Sequence, residues 1–75
     1  MQTAKIVAGL GGIENIDEVR GELLQIDVEV VDPSLVDEVA LKAAGARSVV
    51  KNGEKVTVVL GEEAPRVATE IEDMM

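Results

Sequence analysis

Carboxylates are the main side chains in this sequence that could take part in chemistry. The chain carries 15 Asp and Glu residues against 7 Lys and Arg, and it has neither Cys nor His. Thiol and redox chemistry are therefore excluded, and the usual zinc and copper ligands are missing. Five carboxylates could suggest a calcium site, but they fall on predicted helix positions without a ligand loop. They are Glu62, Glu63, Glu70, Glu72 and Asp73. We interpret them as a solvated helix face and predict no metal and no cofactor.

Charge and composition also argue against nucleic acid and nucleotides as ligands. The net charge is -8 and the basic residues form no cluster, whereas phosphate backbones demand a concentrated positive surface. Gly11-Gly12 lacks the wider spacing of a dinucleotide loop and has no strand before it, so it predicts a helix stop. No Phe, Trp or Tyr is present to anchor a ligand or a partner.

Length and hydropathy limit the number of domains and the location. A chain of 75 residues suits one small domain, 1–75, with little room for a second core. No small-residue cleavage site follows a basic region, and no apolar run approaches membrane-spanning length. We therefore expect a cytoplasmic domain with no membrane contact.

The first apolar segment predicts a short helix. Thr3 can cap its start, and Gly11 with Gly12 ends it as a left-handed stop. The residues on its apolar face are Ile6, Val7 and Leu10.

A hairpin is predicted next. Ile16 and Val19 belong to a short extended stretch, and residues 24–30 alternate between apolar and polar, as in a strand with one wet face. Gly21, between the two stretches, can take the positive backbone angle that a tight reversal needs. The reversal is therefore predicted at Arg20, Gly21 and Glu22.

The middle of the chain predicts a second helix. Asp32-Pro33 breaks the strand, and Ser34 with Asp37 three residues later forms a capping-box pattern. Gly45 closes the helix. Its predicted apolar side consists of Val36, Val39, Ala40 and Ala43.

The last third predicts a second hairpin and a third helix. Two Val-rich runs, residues 47–51 and 55–60, are joined through Asn52-Gly53, which fits a two-residue type I′ turn. Pro65 then fits a first helical turn. The apolar residues of this amphipathic helix are Val67, Ile71 and Met74.

The predicted element order is α-β-β-α-β-β-α. Strands with one wet face and three amphipathic helices imply an α+β fold, an open four-stranded sheet covered on one side. The predicted buried stripe of the sheet is Val28, Val30, Val56 and Val58. The residues predicted to pack over it are Val36, Val39, Val67 and Ile71.

Four motifs resemble the IIB domain of the glucose family of bacterial sugar phosphotransferase permeases. They are Gly11-Gly12-Ile13-Glu14-Asn15-Ile16, Asp32-x-Ser34-x-Val36-Asp37, Leu41-Lys42-x-x-Gly45-Ala46, and Gly61 before the last helix. The similarity covers almost the whole chain. It implies a split α/β sandwich, with a four-stranded antiparallel sheet and three helices on one face.

The resemblance also implies a function. In that family the IIB domain receives a phosphoryl group from a phosphohistidine on a IIA domain, holds it on a cysteine, and passes it to a sugar in a membrane-embedded IIC domain. The family's hairpin pattern is Cys, any residue, Thr, Arg, Leu, Arg. On this chain it falls on Glu22, Leu23, Leu24, Gln25, Ile26 and Asp27, and only the apolar position at Ile26 survives.

These substitutions predict a domain without phosphotransfer activity. A solvated glutamate at position 22 is a weak nucleophile compared with a thiolate, and neutral Gln25 and acidic Asp27 stand where the resemblance places arginines. Arg20 is either a remnant phosphate clamp opposite Glu22 or, as we favour, a solvated arginine near a glutamate. Glu22 as a mimic of phosphocysteine is the less favoured alternative, since a carboxylate carries half the charge.

Two origins fit a sequence that keeps the fold signals and loses the catalytic ones. Cys, His and aromatic residues are absent together, and the helix caps and the Asn-Gly turn follow the rules that protein designers use. This combination favours an engineered scaffold derived from the family. The alternative is a natural degenerate domain that acts as a binding or regulatory module in sugar uptake. Binding to a IIA domain would distinguish them, and we expect partnership with IIA and IIC domains to be lost.

Overall fold

Four antiparallel strands form the framework of the chain, of which the computed structural model describes residues 3–75. The strands are β1 (Ile16–Gly21), β2 (Gln25–Val30), β3 (Ser48–Asn52) and β4 (Lys55–Val59). They lie in the order β1-β2-β4-β3. The helices are α1 (Thr3–Gly9), α2 (Glu38–Ala43) and α3 (Ala64–Met74). This α+β arrangement confirms the predicted fold class and element order.

The helices cover one face of the sheet and leave the other open. Helix α3 packs on β1 and β2, α2 contacts β3, and α1 packs against α2 and α3. Short 3-10 turns at Ile13–Asn15, Pro33–Leu35 and Gly61–Glu63 precede β1, α2 and α3. None of the helices within residues 3–75 is long and apolar enough to cross a membrane.

Alternation along β2 and β4 builds the core. Val28 and Val30 are 1% and 2% exposed, and Val56 and Val58, on the neighbouring strand, are 1% and 0% exposed. Val36, Val67 and Ile71 are buried in the same cluster. The predicted stripe is confirmed, and each such side chain contributes about 1.5–3 kcal/mol on burial.

The prediction for the inner face of the second helix is wrong at Val39 and Ala43. Val39 is 79% exposed and Ala43 is also exposed. The helix begins later than the capping-box pattern suggested, because Asp37 is the N-cap and its carboxylate accepts a hydrogen bond from the Ala40 amide at 3.0 Å. The later start turns Leu41, which is 0% exposed, toward the core.

The first reversal lies two to three residues beyond its predicted centre. Gly21 is in β1, pairs with Ile26, and does not have a positive φ. The chain instead turns at Leu23-Leu24, where the Glu22 amide donates to the Gln25 carbonyl at 2.8 Å. Gly21 is required for another reason: a Cβ there would lie 2.8 Å from the Ala68 Cβ on α3.

The second hairpin is present, but its turn is shifted by one residue. Asn52 pairs with Lys55, so the central residues are Gly53 and Glu54. Gly53 has a φ of 63°, and no other residue type within 3–75 has a positive φ. Type I′ needs positive φ at both central residues, so the turn fits type II′ instead.

The ends of the first helix agree in part with prediction. Gly11 and Gly12 have φ values of 103° and 97°, and the Gly12 amide donates to the Val7 carbonyl at 2.9 Å, which confirms the left-handed stop. Thr3 does not cap the helix. It lies inside α1, and its hydroxyl donates to the carboxylate of Glu70 on α3.

Asn15 joins the end of β2 to the segment after α1. Its side chain is buried, its amide nitrogen donates to the carbonyls of Leu10 at 2.7 Å and Asp32 at 3.1 Å, and its oxygen accepts from the Asp32 amide at 2.8 Å. Asn15→Ala would leave these backbone groups unpaired, so we expect the free energy of unfolding to fall by at least about 2 kcal/mol. Urea unfolding followed by circular dichroism measures the loss. Asn52→Ala, at an exposed position, is the control, and equal losses would contradict the role of Asn15.

The contact between α1 and α3 predicts a pH dependence. The Thr3 hydroxyl, and secondarily Arg66 at 3.1 Å, hold the pKa of Glu70 below its ordinary value. A carboxyl group whose pKa is lowered in the folded chain stabilises the fold at pH values above its ordinary pKa of about 4.3. This contribution is lost as the pH falls through the lowered pKa. We expect Glu70→Gln to lose less stability than the parent on acidification between about pH 6 and pH 2. If the urea midpoints of the two proteins change equally as the pH is lowered, Glu70 does not contribute to the pH dependence of stability.

Candidate functional site

The tip of the first hairpin carries the residues that the resemblance assigns to the phosphorylation site. Glu22 is exposed, and Leu23 and Leu24 are 80% and 50% exposed. The Leu24 carbonyl accepts hydrogen bonds from the amides of Leu60 at 3.0 Å and Gly61 at 2.9 Å. The tip is therefore held against the segment that precedes α3.

Strand alternation separates the remaining members of the pattern. Ile26 points into the core and is 0% exposed, whereas Gln25 and Asp27 are half-buried on the open face of the sheet. Burial gives a physical reason for the apolar residue at position 26, since a polar side chain there would enter the core. Gln25 and Asp27 have no such restriction.

Asp27 is the centre of a small polar network on the open face. One oxygen of its carboxylate accepts a hydrogen bond from the Thr57 hydroxyl at 3.0 Å and another from the side-chain amide nitrogen of Gln25 at 3.2 Å. Thr57 reaches Asp27 because the two residues pair directly between β4 and β2. The network presents negative charge where the resemblance implies positive charge.

Arg20 is directed to a neighbour other than Glu22. Its guanidinium lies 3.7 Å from the carboxylate of Glu18, and the two side chains are 71% and 59% exposed. Within residues 3–75, no cationic group lies within 4 Å of the Glu22 carboxylate. The interpretation of Arg20 as a clamp opposite Glu22 is wrong, and its exposed pair with Glu18 is worth about 0–1 kcal/mol.

A shallow groove of about 230 Å³ runs across the open face. Three carboxylates and two cations share it, together with the Asp27 network. The residues that line it are Glu18, Arg20, Asp27, Val28, Glu29, Lys55 and Thr57. Such a groove can receive hydrogen-bond donors at Asp27, and its carboxylates outnumber its cations.

The acidic residues that first suggested a calcium site lie in the turn before α3 and along α3. Glu63, at the end of the turn before α3, and Glu70, one turn further along α3, both pair with the guanidinium of Arg66. These interactions explain the two carboxylates as a helix ion-pair network, as the solvated-face interpretation expects.

Comparison with known proteins identifies the family. No model of a protein family matches the chain. Over 71 residues it is 61% identical to the PTS system N-acetylglucosamine-specific EIIB component of Streptomyces coelicolor, a match that covers 95% of this chain and 92% of that protein. The chain belongs to the EIIB family, the IIB domains of the bacterial sugar phosphotransferase system (PTS). The resemblance inferred from the sequence motifs is confirmed.

Longer relatives contain an EIIB part as a minor share of their length. The EIIB chain is 42% identical over 73 residues to the alpha-glucoside-specific EIICB component of Leptotrichia buccalis, matching 96% of this chain and 14% of that protein. It is 39% identical over 67 residues to the N-acetylglucosamine-specific EIICB component of Bacillus subtilis, matching 88% and 15%. The sugar specificities in these names are those of the longer proteins.

A solved structure shares the fold. The crystal structure of one domain of a PTS IIABC component from Clostridium difficile superposes on the EIIB chain with a TM-score of 0.76, covering 97% of this chain and 78% of that one. The sequences are 15% identical, so the likeness concerns the fold alone.

Thr57 and Lys55 of the EIIB chain were missed by sequence reasoning. They lie about thirty residues from Asp27 and Glu29 in the chain and pair with them only through the β2–β4 ladder. The available signal was the polar alternation of β4, which places both residues on the open face. Lys55 is thus a cation of the open-face groove that lies opposite Glu29, toward the end of β2 away from the hairpin tip.

Proposed function

We propose that this EIIB chain is a domain that does not carry a phosphoryl group. The observation that carries the proposal is the Asp27 carboxylate, bound by Gln25 and Thr57, at a position where the resemblance implies an arginine. The absence of Cys from the chain supports the same conclusion.

The nucleophile is the first part of the argument. A thiolate forms a labile thiophosphate readily, whereas a solvated carboxylate needs a metal and a positive pocket before it becomes an acyl phosphate. Glu22 is exposed at the tip and has no cation within 4 Å among residues 3–75. Its surroundings do not supply what a carboxylate nucleophile requires.

Electrostatics form the second part. Phosphoryl transfer depends on positive groups directed at the oxygens of the transferring group. Arg20 lies beside Glu18, and Lys55 shares its groove with Asp27 and Glu29. The carboxylates offset these two cations, so a phosphate dianion gains little there.

Two roles are compatible with an inactive site. An engineered scaffold and a natural binding or regulatory module in sugar uptake would both lack phosphotransfer, and we place either in the cytoplasm. We propose that partnership with PTS IIA and IIC domains is not retained, because the surface around Asp27 has changed sign. Titration with a IIA domain separates the two roles: measurable binding favours the module.

A phosphotransfer assay tests the proposal. The chain is incubated with phosphorylated IIA protein carrying a radioactive phosphoryl group, and the Streptomyces coelicolor EIIB component serves as a comparison protein under the same conditions. We expect no stable label on the chain. Label that maps to Glu22 would overturn the proposal.

A further inference from the structure

The hairpin tip joins exposed apolar side chains to a group of carboxylates. Leu23 is 80% exposed and Leu24 is 50% exposed, and Glu22 precedes them. The hydrogen bond from the Gly61 amide to the Leu24 carbonyl brings Glu62 and the neighbouring turn beside them. This acidic apolar tip, residues 22–24 with Glu62, is a largely exposed surface.

A second surface on the same molecule has the opposite character. A groove of about 280 Å³ lies between α1 and α2, and its walls are small apolar side chains with a lysine. The lining residues are Lys5, Ala8, Ala40, Ala43 and Ala44. Neither Lys5 nor the nearby Lys42 has a carboxylate within 4 Å among residues 3–75. We refer to this surface as the α1–α2 groove.

We propose that the acidic apolar tip of one copy of the chain docks in the α1–α2 groove of a second copy. Leu23 enters the alanine-lined groove, where its side chain leaves water. Glu22 then approaches Lys5, so that a carboxylate and an ammonium group meet, neither of which has an ion-pair partner within residues 3–75. The two surfaces lie on different elements, so a single contact of this kind joins the two copies head-to-tail.

The proposed contact is weak, and this determines the conditions for observing it. One inserted leucine and a few charges form a small interface of the kind found in transient encounters. Each copy also carries a charge of -8, which repels a second copy at long range. At about 0.15 M salt the Debye length is roughly 8 Å, so this repulsion is screened more than the close pairs.

Sedimentation equilibrium over a wide concentration range tests the proposal, with interference optics because the chain has no aromatic residue. We expect the average mass to rise with concentration. Concentration-dependent NMR amide shifts should appear at residues 21–25 and 61–63 and at residues 5–8 and 40–44. Leu23→Ser should weaken self-association by about tenfold, whereas Val50→Ser, at another exposed apolar position, should not.

Charge variants separate a local contact from general repulsion. Lys5→Glu and Lys55→Glu change the net charge equally, but only Lys5→Glu should weaken self-association. Adding Glu22→Lys to Lys5→Glu should restore it, since the charges are then exchanged between the two surfaces. The proposal is overturned by a constant monomer mass, by equal effects of the two lysine variants, or by shifts centred on the β3 edge. None of these outcomes depends on phosphotransfer, so they leave the proposed function untouched.

Discussion

We expect Val58→Asp to unfold the domain. Val58 is 0% exposed and pairs with Ile26 on β2 and Val49 on β3, in the middle of the sheet. The change removes an apolar contribution of about 1.5–3 kcal/mol and buries a charge without a partner. Domains of this kind have a total stability of only about 5–15 kcal/mol. We expect loss of the native circular dichroism spectrum at room temperature, since no aromatic reporter is available.

Two controls show whether the effect is local. Val50→Asp introduces the same charge at a position that is 56% exposed on the open face, and it should be tolerated. Glu22→Ala should cost almost nothing, because an exposed carboxylate at the hairpin tip has no packing to lose. If Glu22→Ala were more damaging than Val58→Asp in urea unfolding, the description of Glu22 as an exposed, unsupported side chain would have to be withdrawn.

Introducing a cysteine at position 22 alone should leave phosphotransfer close to background. Glu22→Cys supplies a nucleophile, but Asp27 stays bonded to Gln25 and Thr57 and keeps its negative charge beside the tip. Adding Gln25→Arg and Asp27→Arg should raise the labelling rate by at least about a hundredfold, because removing a single charge-stabilising group from such sites costs about 10²–10³ in rate. Labelling by phosphorylated IIA protein measures both variants.

The combined variant has a matched control. Glu22→Cys with Glu29→Arg and Glu18→Gln changes the net charge by the same amount but places the added positive charge at other positions of the groove. We expect this protein to remain nearly inactive, since phosphoryl transfer needs positioned charge and not merely added charge. Near-complete recovery by Glu22→Cys alone would contradict the importance assigned to positions 25 and 27.

Local sequence signals were enough to predict the elements and most of the core. Alternation in β2 and β4 gave the buried stripe, and Gly11-Gly12 gave the end of α1, because both depend on the period or backbone freedom of neighbouring residues. The same signals placed Glu22, Gln25 and Asp27 at the first hairpin. They also led to the family, since the motifs that carry the resemblance lie in short segments.

Tertiary structure decided the features that depend on distant residues. Gly21 looked like a turn residue, yet it is small because Ala68 of α3 packs against it, 47 positions along the chain. The partners of Asp27 were likewise fixed by the pairing of β2 with β4, which brings Thr57 and Lys55 onto its face of the sheet. Alternation assigns a side chain to a face, but only the strand order decides which other side chains share it. For that reason the sequence by itself showed that no cysteine is present and that positions 25 and 27 are not arginines, and only the folded chain showed that Thr57 bonds to Asp27 and that Lys55 lies opposite Glu29 on the same face.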